Sequence, residues 1–203
     1  MNPSTPQTTL IALAKSGDKD ALGTLLESYR KYLMFLARTQ IHQNLQAKLD
    51  PADIAQEVCI AVQERIHDFR GETSEEFAGW LRGILSNILA MQIRHFYGTQ
   101  KRDPRLEQNL DQGIASASGF LQSGIAGDFT SPSQHYARNE VSLRLAEAIE
   151  SLPEDYREVI LLRHVQSLPF GEVAKRMDRS IDSVEKLWVR GLAKLKLGME
   201  KTQ

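Results

Sequence analysis

Along the first hundred residues, apolar side chains recur at spacings of three and four, the period of an amphipathic helix. Leu22, Leu25, Leu26, Tyr29, Leu33 and Leu36 mark one such face between Asp18 and about Thr39. A second helix starts at Asp50-Pro51, where Asp can cap a free amide and Pro suits the first helical position. It carries Ile54, Val58, Ala61, Val62, Ile66 and Phe69 on one face and breaks at Gly71. Ser74 is placed to cap a third helix, with Glu75 and Glu76 in the first turn, where the helix dipole favours anions. That helix presents Phe77, Trp80, Leu81, Ile84, Leu85 and Ile88. Three such stripes predict a small bundle with a core of its own.

From about Thr99 to Ala137 the period fails. The stretch DQGIASASGFLQSGIAGDFTSPSQ is rich in Gly, Ser and Asp, the composition of a flexible tether. Helical spacing returns near Asn139 with Leu145, Ile149 and Leu152, stops at Pro153, and resumes with Val159, Ile160, Leu161 and Leu162. Phe170, Val173, Ala174 and Met177 form a short helix, Asp178-Arg179-Ser180 a turn, and Val184, Leu187, Trp188, Leu192 and Leu195 the buried side of a last, basic helix. Helix, tight turn and basic helix in that order predict a helix-turn-helix. The expected fold is therefore all-α: two small helical domains, 1–98 and 139–203, joined by a flexible linker over 99–138.

Composition narrows the class. The 203 residues are 41% hydrophobic, 25% charged and 7% aromatic, the balance of a globular helical protein. No apolar run approaches the ~20 residues of a membrane helix. The opening MNPSTPQTT lacks the basic and apolar parts of a signal peptide. No membrane insertion is expected, and with Cys59 as the lone cysteine no intrachain disulfide can form, which points to a cytoplasmic location. Cys59, inside Val58-Cys59-Ile60-Ala61, reads as a small buried hydrophobe.

The net charge of −1 hides a segregation. Residues 50–77 hold eight acids against Arg65 and Arg70, whereas residues 80–105 and 157–203 are each net basic. Such a chain can meet a basic protein surface and a phosphate backbone at once. Enzymatic chemistry has no foothold. The five histidines (His42, His67, His95, His135 and His164) are scattered, none at the i, i+4 spacing of a helical metal pair, and no Gly-rich phosphate loop is present. Neither catalytic residues nor a metal or cofactor are expected. On the last helix, Ser183, Lys186, Arg190 and Lys194 fall opposite the apolar stripe, and Ser180 caps its start. Basic side chains so placed can enter a major groove or bind phosphates.

These segments resemble a known family. LRLAEAIESLPEDYREVILLRHVQSLPFGEVAKRMDRSIDSVEKLWVRGLAKLK resembles region four of bacterial RNA polymerase sigma factors, and DPADIAQEVCIAVQERIHDFRGETSEEFAGWLRGILSNILAMQIRHF resembles region two. Both halves in order around a linker are the pattern of the extracytoplasmic-function (ECF) type. The resemblance implies that Asp53, Gln56 and Glu57 dock on the polymerase core, chiefly its β′ subunit with β as a further contact. It implies that Phe69, Arg70, Trp80, Asn87 and Arg94 serve the −10 element and its melting, and that Ser180, Ser183, Lys186, Arg190 and Lys194 serve the −35 element. Promoter DNA and core polymerase are the implied partners, with room for an anti-sigma protein as a third. The chain departs from the family at Glu185 and Leu187, where basic residues are common, and at Met91 and Pro169. A DNA-binding regulator or a sigma-like decoy that binds polymerase without initiating are the alternatives.

Overall fold

The computed structural model describes residues 6–41, 49–97, 104–123 and 135–201. The chain divides into two compact units, Met1–Ala115 and Ser116–Gln203, and all regular elements among the described residues are helical.

The first unit opens with a helix that apolar spacing did not announce, α1 (Gln7–Lys15), which buries Leu10, Ile11 and Ala14. It closes at Gly17, whose φ of 97° lets the amides of Gly17 and Asp18 reach the carbonyls of Ala14 and Leu13. That is a Schellman close, and a side chain at this φ would be strained. Asp18 at once caps α2 (Lys19–Gln40), its Oδ1 accepting from the amides of Asp20 and Ala21. A cap of this kind contributes about 1 kcal/mol.

Asp50 and Pro51 start α3 (Pro51–Arg65) as expected, with Asp50 Oδ1 accepting from the Ala52 amide at 2.8 Å. A single 3-10 turn, Ile66–Asp68, follows. The next helix, α4 (Ser74–Tyr97), is capped by Thr73 and not by Ser74. Thr73 Oγ1 accepts from the Glu76 amide, while the Glu76 carboxylate accepts from the Thr73 amide. This reciprocal pairing is a capping box, which needs the hydroxyl three residues before the carboxylate. Ser74 is buried instead, and its carbonyl accepts from the Tyr29 hydroxyl. Tyr29, Tyr32, Phe35, Phe77, Leu81 and Leu85 are the largest groups of a core among α2, α3 and α4, with Tyr29 edge-on to Phe77 at 5.2 Å. Cys59 is buried there too, which pushes its thiol above the usual range.

Part of the expected linker is ordered. Pro104–Ser123 forms α5, and Leu110, Ile114, Ala117 and Leu121 are buried at spacings of four, three and four. Gly113 sits directly against the end of the Gln40 side chain, which would have to move aside for a Cβ. Small residues on a helix face permit such close packing, and the same Gly, Ala and Ser made the segment look like a tether. Residues 98–103 and 124–134, the rest of that stretch up to α6, lie outside the described residues.

In the second unit, α6 (His135–Glu150) starts slightly ahead of the expected point near Asn139. It ends on a part-buried ion pair, half-buried Arg157 Nη1 to buried Glu150 Oε2 at 3.3 Å, with the same nitrogen donating to the Glu150 carbonyl. Burying one of these charges without the other would be costly. Helix α7 (Glu154–Ile160) follows Pro153 and runs on into one π-helical turn, Leu161–Val165. Then come α8 (Phe170–Arg176) and α9 (Ile181–Lys201). The turn between them is a second Schellman close: the amides of Arg179 and Asp178 reach the carbonyls of Ala174 and Lys175, with Asp178 at φ 50°. Asp tolerates this left-handed conformation better than most side chains. Gly191 lets α9 come against Tyr156 and Ile160 of α7. Helix, turn and helix stand as the spacing predicted.

Candidate functional site

The acidic face of α3 carries the expected docking residues. Asp53 and Glu57 are four apart and Gln56 lies between them, so the three share one side of the helix. Asp53 and Gln56 are exposed and Glu57 is half-buried. Both Glu57 carboxylate oxygens accept from Gln92 Nε2 of α4, at 2.8 and 3.1 Å. Gln92 escaped the sequence reading because nothing in local spacing links it to a residue on another helix. Ile60, one turn beyond Gln56, is 47% exposed and adds an apolar side chain beside this polar face.

The residues expected at the −10 element separate into three groups. Phe69 and Trp80 belong to an aromatic cluster. Phe69 is buried, stacked on Trp80 at 5.1 Å and edge-on to Phe77 at 5.4 Å, while Trp80 is half-buried. Arg70 and Asn87 are exposed. Arg94 is half-buried and paired with Glu107 of α5, Nη1 to Oε1 3.1 Å, so a carboxylate already holds the guanidinium expected at the −10 element. Arg82 donates to the Tyr32 hydroxyl at 3.0 Å.

The loop from Phe69 to Thr73 is tightly held. A Cβ on Gly71 would lie 2.5 Å from Cζ of the Phe69 ring, so only glycine fits. Glu76 Oε2 accepts from the amides of Glu72 and Thr73 and from the Thr73 hydroxyl. These hydrogen bonds, the Glu72 amide first, hold the Glu76 carboxyl below its usual range. The two amides just ahead of α4, those of Glu72 and Thr73, are thereby occupied by the protein's own carboxylate.

On α9, Ser180 is the cap expected of it, its Oγ accepting from the Ser183 amide at 3.2 Å. Ser183 is half-buried beside it. Lys186 and Arg190 are exposed, and Lys186 reaches Asp182 at 2.7 Å. Lys194 lies over the Tyr156 ring at 5.8 Å, a cation–π contact with the unit's own surface. Val189, 58% exposed beside Arg190, was unassigned in the sequence reading. An isolated valine on a solvated face gives no periodic signal. Behind the helix, Trp188 Nε1 donates to His164 Nε2 at 3.0 Å, and Phe170 meets Trp188 edge-on. An imidazole nitrogen that accepts is unprotonated. Burial, then the neighbouring Arg163 charge, lowers the His164 pKa.

Among the described residues there is no cluster of three or more His, Cys, Asp or Glu side chains that could hold a metal ion, and no helix long and apolar enough to cross a membrane.

Comparison with known proteins bears on both units. The Sigma-70 region 2 family matches residues 25–95, and the Sigma-70, region 4 family matches residues 142–195. The chain is 27% identical to the ECF RNA polymerase sigma factor SigW of Bacillus subtilis, covering 89% of this chain and 90% of that protein. It is 26% identical to the RNA polymerase sigma-H factor of Pseudomonas aeruginosa, covering 86% of this chain and 84% of the relative. The ECF RNA polymerase sigma-E factor of Escherichia coli is 26% identical over the same shares. With regions 2 and 4 in order, a helix-turn-helix in the second, and relatives matched over nearly their whole length, the chain belongs to the ECF sigma factors, promoter-recognition proteins of transcription initiation.

Proposed function

We propose that this sigma factor docks on core RNA polymerase through the α3 face and reads the promoter with both units, promoting DNA melting. Asp53, Gln56 and Glu57 are the docking set, and β′, with β as a further contact, is the polymerase surface they meet. Two of the three are exposed and the third is held in place by Gln92, which leaves an acidic face suited to a basic partner. Arg70 and Asn87 reach the −10 strand, with the Phe69–Trp80 stack beneath them as a rigid floor. Lys186 and Arg190 read or brace the −35 duplex, Ser180 and Ser183 shape the start of their helix, and Lys194 contacts the backbone on leaving Tyr156. RNA synthesis belongs to the core enzyme, and the chain acts in the cytoplasm, where an anti-sigma protein is a fitting regulator.

The observation that carries this reading is the placement of an exposed acidic face on one unit and an exposed basic recognition helix on the other. Segregated charge of this kind serves a protein that must hold a basic polymerase surface and DNA together. Run-off transcription with purified core polymerase tests it. Promoter-dependent transcripts that need the added chain are expected. Core binding without initiation would make it a decoy instead.

A further inference from the structure

The loop joining α3 to α4 is shaped from three directions, and one of them lies outside the segment matched by the region 2 family. The Phe69 ring covers Gly71 from one side. Glu76 holds the Glu72 and Thr73 amides from the helix side. From α1, Lys15 Nζ donates to the Gly71 carbonyl at 2.9 Å and stands 5.7 Å from the centre of the Phe69 ring. Lys15 precedes the matched residues 25–95.

Glycine is the residue whose peptide turns most freely. With no Cβ at position 71, sterics alone do not set the direction of its carbonyl. An ammonium bonded to that oxygen does, because charge-assisted hydrogen bonds are shorter and stronger than neutral ones. The amides on the far side are already taken by Glu76, so the peptide between them has one arrangement that satisfies both ends. The N-terminal helix thus reaches across to fix a loop it does not adjoin in sequence.

We infer that Lys15 is a positioning residue for the −10 element: by fixing the Gly71 peptide against Phe69 it preforms the loop that carries Arg70 to the −10 strand, where a base leaving the stack would be held. The inference rests on the reading of that loop as the −10 site. Preorganisation lowers the cost of ordering the loop when the base arrives.

The test uses the full chain assembled with core polymerase. Promoter duplexes are selected by the wild-type assembly from random sequence, and 2-aminopurine is then placed at each adenine of the −10 region. One position brightens with wild type as its base leaves the stack. Lys15→Met keeps the apolar stem and loses the donor, and it should raise the DNA concentration needed for that signal about tenfold. Lys15→Arg, which restores a donor, should recover most of the loss, while core affinity stays unchanged for both. Equal signals from Lys15→Met and wild type would overturn the inference, as would a parallel loss of core affinity. A salt slope lower by about 0.7 would also overturn it, since that marks a direct phosphate contact on a single strand. If no position brightens with wild type, the reading of the loop itself fails.

Discussion

The indole of Trp80 lies stacked on the Phe69 ring, centroids 5.1 Å apart and planes 29° from parallel. Phe69 is 5% exposed, so its first task is to hold the core beneath the loop. Phe69→Ala should cost the first unit about 3 kcal/mol or more. Trp80→Ala should cost less, because Trp80 is only half-buried. Urea unfolding checks both, followed by circular dichroism so that loss of the indole does not remove the probe.

Glu57 is held by Gln92, and that brace predicts a graded response. Gln92→Ala frees the carboxylate without removing it, and should weaken core binding by only a few-fold, because both hydrogen bonds that orient Glu57 are lost while its charge remains. Glu57→Lys reverses the charge and should weaken it far more. Titration of labelled core with each variant separates the two. An unaffected Gln92→Ala would mean that Glu57 is ordered by the polymerase itself.

Arg94 has Glu107 as an ion-pair partner, which masks it from DNA. Glu107→Gln should therefore raise DNA affinity and steepen its salt dependence by about 0.7 to 0.9 in log–log slope, the increment of one more phosphate contact. Arg94→Ala should change affinity little in the wild-type background and abolish the gain in Glu107→Gln. Fluorescence anisotropy across a salt series measures these slopes.

His164 ties the stability of the recognition helix to pH. Its folded pKa lies below the ordinary 6.5, chiefly through burial, so the unfolded chain takes up a proton first as pH falls. Its neutral form is favoured in the folded unit and contributes no penalty above 6.5. Stability is then lost as pH drops from 6.5 toward the lowered folded value, where protonation also removes the acceptor for Trp188. Thermal unfolding read by Trp188 fluorescence in a Trp80→Phe chain should show a midpoint falling over that window. His164→Gln should flatten it.

Large apolar residues at strict helical spacing made α2, α3, α4 and α9 readable, and Asp50-Pro51 and Ser180 marked two of their starts. Helices α1 and α5 escaped for different physical reasons. The first is short, with only Leu10, Ile11 and Ala14 buried. The second fills its buried positions partly with Ala117 and Ser118, which look like linker residues when their neighbours are unknown. Ser74 was expected to cap α4, and Thr73 does so instead because the Glu76 carboxylate reaches back to its amide. The shared face and exposure of the candidate residues were legible where they depend on one helix, as with Asp53 and Gln56 or Lys186 and Arg190. They were not where residues 35 or 56 positions apart meet, as Glu57 with Gln92 and Lys15 with Gly71 do. The partners that restrain Arg94 and Lys194 were hidden for the same reason.

The central claim is a division of labour, with core docking on α3 and −35 recognition on α9, and one crossed measurement tests it. Core affinity and −35 duplex affinity are measured by titration for the wild-type chain, for Asp53→Lys with Glu57→Lys, and for Lys186→Ala with Arg190→Ala, using duplexes selected by the wild-type holoenzyme. The first pair should lose core binding and keep duplex binding, and the second should lose duplex binding by tenfold or more while core affinity stays unchanged. Loss of core binding in Lys186→Ala with Arg190→Ala, or full core binding in Asp53→Lys with Glu57→Lys, would contradict the account.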